Sequence, residues 1–230
     1  MPGSNYTQFT AGNTPVAGLL KLPAEASRTG AAPQWIGFAG VDDVDAAAGR
    51  AMQLGGTVHV PPANAGNATR FSVIADPQTA LLALVTKPKR NKAVRPGTPG
   101  HVSWHELHAA NWETAFAFYA GLLGWQKAET RVDSIGTYQQ FSAGTEAIGG
   151  MFTRPGEAPS LWLYYFNVYD IEAAVKRVEA GGGEILCGPL AVPGGARVVH
   201  CLDPQGAIFA LIDRHVRITI GCYSDRGRPG

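Results

Sequence analysis

Apolar residues recur at i, i+3, i+4 and i+7 in three stretches: Val44, Ala47, Ala48 and Ala51; Trp112, Ala115, Phe116 and Tyr119; Ile171, Ala174, Val175 and Val178. That period gathers each set on one side of a helix and predicts three amphipathic helices. Each begins just after a residue whose side-chain oxygen can cap free backbone N–H groups, Asp43, Asn111 and Asp170. Glycines at 55–56, 121 and 181–183 then offer places to stop or turn. Alternating or continuous apolar runs between the helices predict strands: HVSWHELH, GTYQQFSA, AIGGMFT, SLWLYYFNV, RVVHCL and AIFALID, with counterparts earlier in the chain. Asp203-Pro204-Gln205-Gly206 has the residues of a type I turn and predicts a hairpin tip, and Asp76-Pro77-Gln78-Thr79 keeps all but the glycine.

The chain also repeats itself. Tyr6, Phe9, Gly12, Gly18 and Pro23 recur as Tyr138, Phe141, Gly144, Gly150 and Pro155, at one offset (138 − 6 = 132). Trp35, Asp43, Gly55, Pro62, Arg70, Asp76, Pro77, Gln78 and Leu84 recur as Trp162, Asp170, Gly182, Pro189, Arg197, Asp203, Pro204, Gln205 and Leu211 (162 − 35 = 127). The offset changes within AEASRTGAA, where a longer connection in the first copy accounts for it. The capping residues Asn111 and Asp170 are 59 apart (170 − 111), as are Gly124 and Gly183, so the second copy itself reads as two related halves. Between the copies runs KPKRNKAVRPGTPG, whose prolines, glycines and five cations read as a solvated linker. The implied division is 1–86, a linker at 87–100, 101–213, and a tail at 214–230.

Composition narrows the function. Nineteen Lys and Arg against eighteen Asp and Glu give a net charge of +1, so no global field recruits nucleic acid or a membrane surface. No run approaches the roughly 18 apolar residues of a membrane span and the first residues carry no secretion signal, so a cytoplasmic location is expected. Cys187, Cys201 and Cys222 lack metal-knuckle or disulfide spacing and read as reduced thiols, the first two packed in strands.

With WHEL, FYAGLLGW, a glycine-bearing hairpin, VYDIEAA and DPQGAIF in that order, residues 101–213 resemble the vicinal oxygen chelate superfamily, which includes glyoxalase I, bleomycin resistance proteins and extradiol dioxygenases. Residues 5–86 resemble the rear part of a second such domain. The resemblance implies an α+β fold of repeated βαβββ modules whose curved mixed sheets enclose a cavity. It also implies that the first domain is incomplete at its front, lacking its first strand, helix and second strand; a partner subunit, as in a homodimer, or the VRITI segment of the tail would cover the exposed edge.

Members of that family that chelate a metal do so from four strand positions, and matching on the helix cap and the DPQG turn puts Trp104, Gly150 or Met151, Leu163 and Ala210 there. In the first copy the surviving places hold Gly18 or Leu19, Ile36 and Ala83. None offers imidazole, carboxylate or thiolate, so no metal and no cofactor is expected at the usual place. His101, His105, Glu106 and His108 form a richer group, but strand alternation sends His101 and His105 to one face and Glu106 and His108 to the other. The period of two instead aligns Trp104, Glu106 and His108, with Tyr165 and Asn167 on the neighbouring strand, as a mixed pocket for a small, flat, partly apolar ligand. Glu106 and His108 are the candidate proton-transfer groups. His200, whose counterpart is Val73, and Arg197, whose counterpart Arg70 suggests a structural job, complete the candidate ligand-binding set. The expectation is a glyoxalase-like protein that binds a small metabolite or antibiotic without metal. A metal-dependent lyase or dioxygenase using displaced histidines, and a non-catalytic protein dimerising through its incomplete domain, are the alternatives.

Overall fold

A computed structural model describes residues 6–28, 30–65, 69–87, 95, 97–133, 136–157 and 159–214. The chain opens with a separate hairpin, β1 (Tyr6–Ala11) and β2 (Thr14–Leu20). A short helix, α1 (Ala24–Arg28), follows in the segment where the repeat offset changes. Then come β3 (Phe38–Val41), α2 (Val44–Gln53), β4 (Thr57–Ala65), β5 (Thr69–Ala75) and β6 (Leu81–Thr86), a four-stranded sheet in the order β3-β6-β5-β4. The remainder builds one eight-stranded sheet from β7 (Val102–Ala109), α3 (Trp112–Leu123), β8 (Gln126–Asp133), β9 (Gly136–Ser142), β10 (Ala147–Thr153), β11 (Leu161–Asn167), α4 (Ile171–Ala180), β12 (Glu184–Ala191), β13 (Arg197–Leu202) and β14 (Ile208–Asp213).

Its order, β12-β13-β14-β11-β7-β10-β9-β8, is two four-strand sets joined back to back at the antiparallel pair β7–β11. In each set the first strand lies beside the last, in parallel, and a hairpin continues to the edge. The four-stranded sheet has the same order. This is the curved mixed-sheet, βαβββ architecture that the sequence implies.

The three helices start where the caps place them. Asp43 accepts from Ala46 N, Asn111 from Thr114 N, and Asp170 from Glu172 N and Ala173 N. Helix α3 ends at Gly124, whose left-handed backbone (φ 72°) is open to glycine at little cost. The β7 strand is covered on both faces. Leu107 and Ala109 join a core with Phe118, Tyr119, Phe141, Met151 and Trp162, and that core is shared with Val41, Ile74 and Leu84 of the four-stranded unit. A polar chain crosses the same boundary: Trp162 Nε1 donates to Tyr119 Oη (3.0 Å), which donates to the buried Asp76 (3.1 Å). The alternate residues of β7 and β11 face the concave side with Val198, Ala210 and Ile212.

Most of the 87–100 segment and nearly all of the tail, with VRITI and Cys222, lie outside the described residues. Cys201 is buried, and burial pushes its thiol up to about 11, whereas Cys187 is exposed on the edge strand β12 rather than packed. Among the described residues no helix is long and apolar enough to cross a membrane.

Candidate functional site

The concave face of the eight-stranded sheet carries a hydrogen-bonded cluster centred on Glu106. The carboxylate stands on β7, the innermost strand, opposite Leu163 on one side and Gly150 on the other. His108 Nε2 lies 2.8 Å from Glu106 Oε1. Tyr165 Oη donates to the same oxygen at 3.1 Å. Tyr138 Oη donates to Oε2 at 3.0 Å and accepts from Trp104 Nε1 at 2.8 Å. His200 Nε2 lies 3.0 Å from Tyr165 Oη. Four strands therefore contribute: β7, β9, β11 and β13. The Phe152 ring, 4.7 Å from that of His108, extends the aromatic wall.

Local sequence explains why these groups meet. Trp104, Glu106 and His108 are two residues apart on one strand and share a face. Gly150 makes room for Tyr138, since a Cβ there would fall 2.3 Å from the phenol ring. The Glu106 and His108 side chains are only 13% and 16% exposed, so the cluster is largely withdrawn from water.

Electrostatics follow from this burial. Desolvation pushes the Glu106 carboxyl up, but the His108 hydrogen bond and charge and the two tyrosine hydroxyls outweigh it and leave the group below its usual value. Desolvation and the Glu106 charge hold both tyrosines well above the ordinary phenol range, so both remain donors. His200 is lowered, first by desolvation and also by charge on His108, with Glu106 acting in the opposite sense. The arrangement is a buried carboxylate saturated by three donors and flanked by two imidazoles, a constellation suited to orienting a polar ligand and moving protons.

The structure thus brings together Trp104, Glu106, His108, Tyr165 and His200. Asn167 does not join them. A register shift between Tyr165 and Phe166 interrupts the alternation, and the Asn167 amide instead accepts from Ser103 Oγ (2.8 Å) and donates to His101 O (2.9 Å). There it lines a separate groove of about 360 Å³ with Pro99, Gly100 and Tyr169. Arg197 is also engaged elsewhere. Its Nη1 bonds Glu172 Oε1 (2.9 Å) and its Nη2 reaches Asp213 Oδ2 (3.4 Å). Arg70 does the same with Asp45, and in both cases the acid is 25 residues earlier, in the first turn of a helix. Tyr138 is the member that sequence reasoning passed over as a site residue. Its position in GTYQQFSA and its pairing with Tyr6 in the repeat were the available signals.

The four positions that hold metal in this fold family do not fit one here. Trp104 Nε1 is a donor, and Gly150, Met151, Leu163 and Ala210 have no hard or borderline ligand atom. His105 is turned to the other face of β7, its Nδ1 2.8 Å from Ile148 O. Among the described residues no three His, Cys, Asp or Glu side chains are grouped to hold an ion.

A model of the Glyoxalase/Bleomycin resistance protein/Dioxygenase superfamily matches residues 99–211. "Putative glyoxylase CFP32" of Mycobacterium tuberculosis (strain CDC 1551 / Oshkosh) is 31% identical over 211 residues, which cover 91% of this chain and 80% of that protein. "Anthracycline biosynthesis protein DauV" of Streptomyces sp. (strain C5) is 31% identical over 184 residues, covering 78% of this chain and 65% of the relative. The fold is shared with the Mn(II)-bound glyoxalase from Novosphingobium aromaticivorans (TM-score 0.55, 19% identity, 77% of this chain and 61% of that one). It is also shared with the 2,3-dioxygenase LapB from Pseudomonas sp. KL28 (TM-score 0.54, 13% identity, 76% and 70%). The chain belongs to the glyoxalase/bleomycin resistance protein/dioxygenase superfamily.

Proposed function

We propose that this protein binds a small, flat, hydroxyl-bearing organic molecule, a metabolite or an antibiotic, on the concave face of its eight-stranded sheet and does so without a metal at the family's usual place. The observation that carries this reading is the Glu106 cluster: a buried, ionised carboxylate walled by Trp104, Tyr138, Tyr165 and Phe152, with the imidazoles of His108 and His200 at hand. Aromatic faces suit a planar ligand, and a few convergent polar groups set its orientation. Glu106 and His108 form the carboxylate–imidazole pair available for proton transfer. The name of the Streptomyces relative, an anthracycline biosynthesis protein, points the same way, toward a polycyclic hydroxylated aromatic.

Titration of tryptophan fluorescence with a hydroxyanthraquinone tests the reading. Saturable binding is expected, weakened about tenfold or more in Trp104→Ala and Glu106→Ala, the cost of losing one hot-spot contact. Unchanged affinity in both variants would remove the site from the cup. Stoichiometric retention of one Zn, Mn, Fe or Ni ion per chain would overturn the metal-free part.

A second reading concerns assembly. Tyr6, Phe9, Leu19, Leu20 and Phe38 are large apolar residues left exposed on β1, β2 and β3. Exposed apolar side chains of this kind fit self-association into a homodimer. A mass by light scattering that stays at one chain across the accessible concentration range would exclude it.

A further inference from the structure

The Glu106 cluster contains two imidazoles and one carboxylate, and hydrogen-bond polarity decides which of them can receive a proton. Trp104 Nε1–H can only donate, so Tyr138 Oη must accept from it and give its own hydrogen to Glu106 Oε2. Oε1 is met from two directions, by Tyr165 Oη and by His108 Nε2. Glu106 therefore already accepts three hydrogen bonds, and such a carboxylate is a poor proton acceptor. Tyr165 has a single hydroxyl hydrogen and two neighbours, Glu106 Oε1 at 3.1 Å and His200 Nε2 at 3.0 Å. A hydrogen directed at His200 would turn a phenolic lone pair toward the carboxylate, so the hydrogen goes to Glu106. His200 Nε2 must then carry a hydrogen and donate it to Tyr165.

We propose that His200 is a proton acceptor of the concave face: a relay from Glu106 through Tyr165 fixes its Nε2–H tautomer and leaves Nδ1 as the open base. This rests on the concave-face ligand reading and goes beyond it, since it adds a residue on β13 to the Glu106–His108 pair, in which His108 likewise donates from Nε2 to the carboxylate. Among the described residues nothing is hydrogen-bonded to His200 Nδ1. The side chain sits on the cup face because its neighbours Val199 and Cys201 pack against α4 on the other side of the sheet. The groups facing it are Tyr165, Glu106 and His108, and the thiol of Cys187 stands on the paired strand. Desolvation favours its neutral form and outweighs the opposing Glu106 charge.

The step is a simple transfer. An acidic O–H of the ligand, or a C–H beside a carbonyl, passes its proton to Nδ1, and the bonding pair stays on the ligand as a phenolate or enolate. The new imidazolium charge is balanced by Glu106 through the tyrosine, an orienting arrangement like that of a carboxylate behind a catalytic histidine. Glu106 and Tyr165 act as positioning residues, and the ligand class is a weak carbon or oxygen acid.

The tautomer can be read without any ligand, by long-range proton–nitrogen spectra of protein labelled with nitrogen-15 histidine, the His200 signals being assigned by their loss in His200→Gln. The unliganded protein should show His200 as the Nε2–H form by up to about tenfold, the worth of one neutral hydrogen bond. Tyr165→Phe should weaken that preference to that of an unbonded imidazole with the chain still folded, and Glu106→Leu should reverse it to Nδ1–H, because the freed tyrosine hydrogen then turns to Nε2. A wild-type Nδ1–H form, or a tautomer unmoved by Tyr165→Phe, would overturn the relay. The expected tautomer in a protein that fails to bind the hydroxyanthraquinone would sustain the relay and sink the ligand reading instead.

Discussion

The four-stranded unit β3–β6 and the rear half of the large sheet, β11–β14, are the same design carried out twice, once without and once with members of the Glu106 cluster. Helices α2 and α4 are each ten residues long and begin 127 residues apart (171 − 44). Both are tied by an arginine to an acid in the first turn, and both units end with a hairpin whose tip is an Asp-Pro-Gln turn. Even the β1–β2 hairpin repeats a detail of β9–β10: Tyr6 lies over Gly18 as Tyr138 lies over Gly150. The differences fall on the concave face. Phe38 stands where Tyr165 does in the other unit, 67% exposed against 5%, and Val73 stands for His200. Nothing in the described front unit matches β7, which supplies Trp104, Glu106 and His108. Residues that recur in both units fit a scaffold role and those that differ are the candidates for function, which groups Arg197 with Arg70 and sets His200 apart from Val73.

The sharpest way to test this division is at Gly149. Its copy in the front hairpin is Ala17 (149 − 132 = 17), so the position itself tolerates a methyl group. In β10, however, an added Cβ would fall 2.1 Å from the backbone carbonyl of His105 and 2.5 Å from the Phe141 ring. A backbone atom of a central strand cannot swing aside as a side chain can. Gly149→Ala should cost about 3 kcal/mol, the upper end of overpacking penalties, visible as a lowered urea midpoint. Ala17→Gly should cost well under half of that. Equal, small effects would mean that β10 and β7 are not packed as tightly as described.

A smaller effect separates the Glu106 hub from the buried Asp76 in the turn of the front unit. Both carboxylates are withdrawn from water, yet the three donors leave Glu106 below its ordinary value while burial leaves Asp76 above its own. A lowered folded value means that the Glu106 contribution is fully present above its ordinary value of 4.5 and is lost as pH falls through the lower folded value. Asp76 has the opposite sign, stabilising most below its ordinary value of 3.8 and losing that advantage as pH rises through the raised one. Glu106→Gln brings an amide N–H among groups that already donate, and at pH 7 should cost about 2 kcal/mol. Denaturant titrations should show the gap between wild type and Glu106→Gln narrowing as the solution is acidified below pH 4. A gap independent of pH would mean that Glu106 is not ionised in the folded protein.

Which parts of this were legible in the sequence follows from what leaves a period behind. The three main helices are marked by caps and by the apolar spacing of one buried face, and the central strands by runs such as LWLYYFN, both of whose faces are buried. The edge strand β8 escaped, and β12 was marked only by the placing of Cys187 in a strand. QKAETRVD and EILCGPLA are paired on one side only and much of their side-chain surface faces solvent, so no alternation survives in their composition. At the site, Trp104, Glu106 and His108 could be placed together because an unbroken strand alternates, whereas Asn167 was misplaced by the register shift beside Tyr165. His200 was distinguishable as unlike its copy, but its bond to Tyr165 is a contact between strands that are not neighbours in the sheet, and no one-dimensional pattern encodes that.

The two hairpin tips offer the smallest and cleanest test of the comparison. In the rear unit Asp203 Oδ1 accepts from Gln205 N and Ala207 N, and Gly206 closes the turn with φ 84°. In the front unit Asp76 Oδ1 accepts from Gln78 N and Ala80 N in the same way, but Thr79 holds the closing position with φ 74°, alone among the described non-glycine residues in having a positive φ. A β-branched residue is strained there, by about 1–3 kcal/mol, because its Cβ substituents crowd the backbone. Glycine removes that strain and adds back an unfolded-state entropy cost of about 0.5–1 kcal/mol. The Asp76 cap holds the geometry in either case, since its bonds run to backbone N–H groups that the substitution leaves in place. Thr79→Gly should therefore stabilise the protein by about 1 kcal/mol and raise its melting temperature by a few degrees, and Gly206→Thr should destabilise it by at least as much. A Thr79→Gly variant no more stable than wild type would show that the threonine side chain makes a compensating contact in the folded protein, and the front turn would then be a feature of its own rather than a strained copy of the rear one.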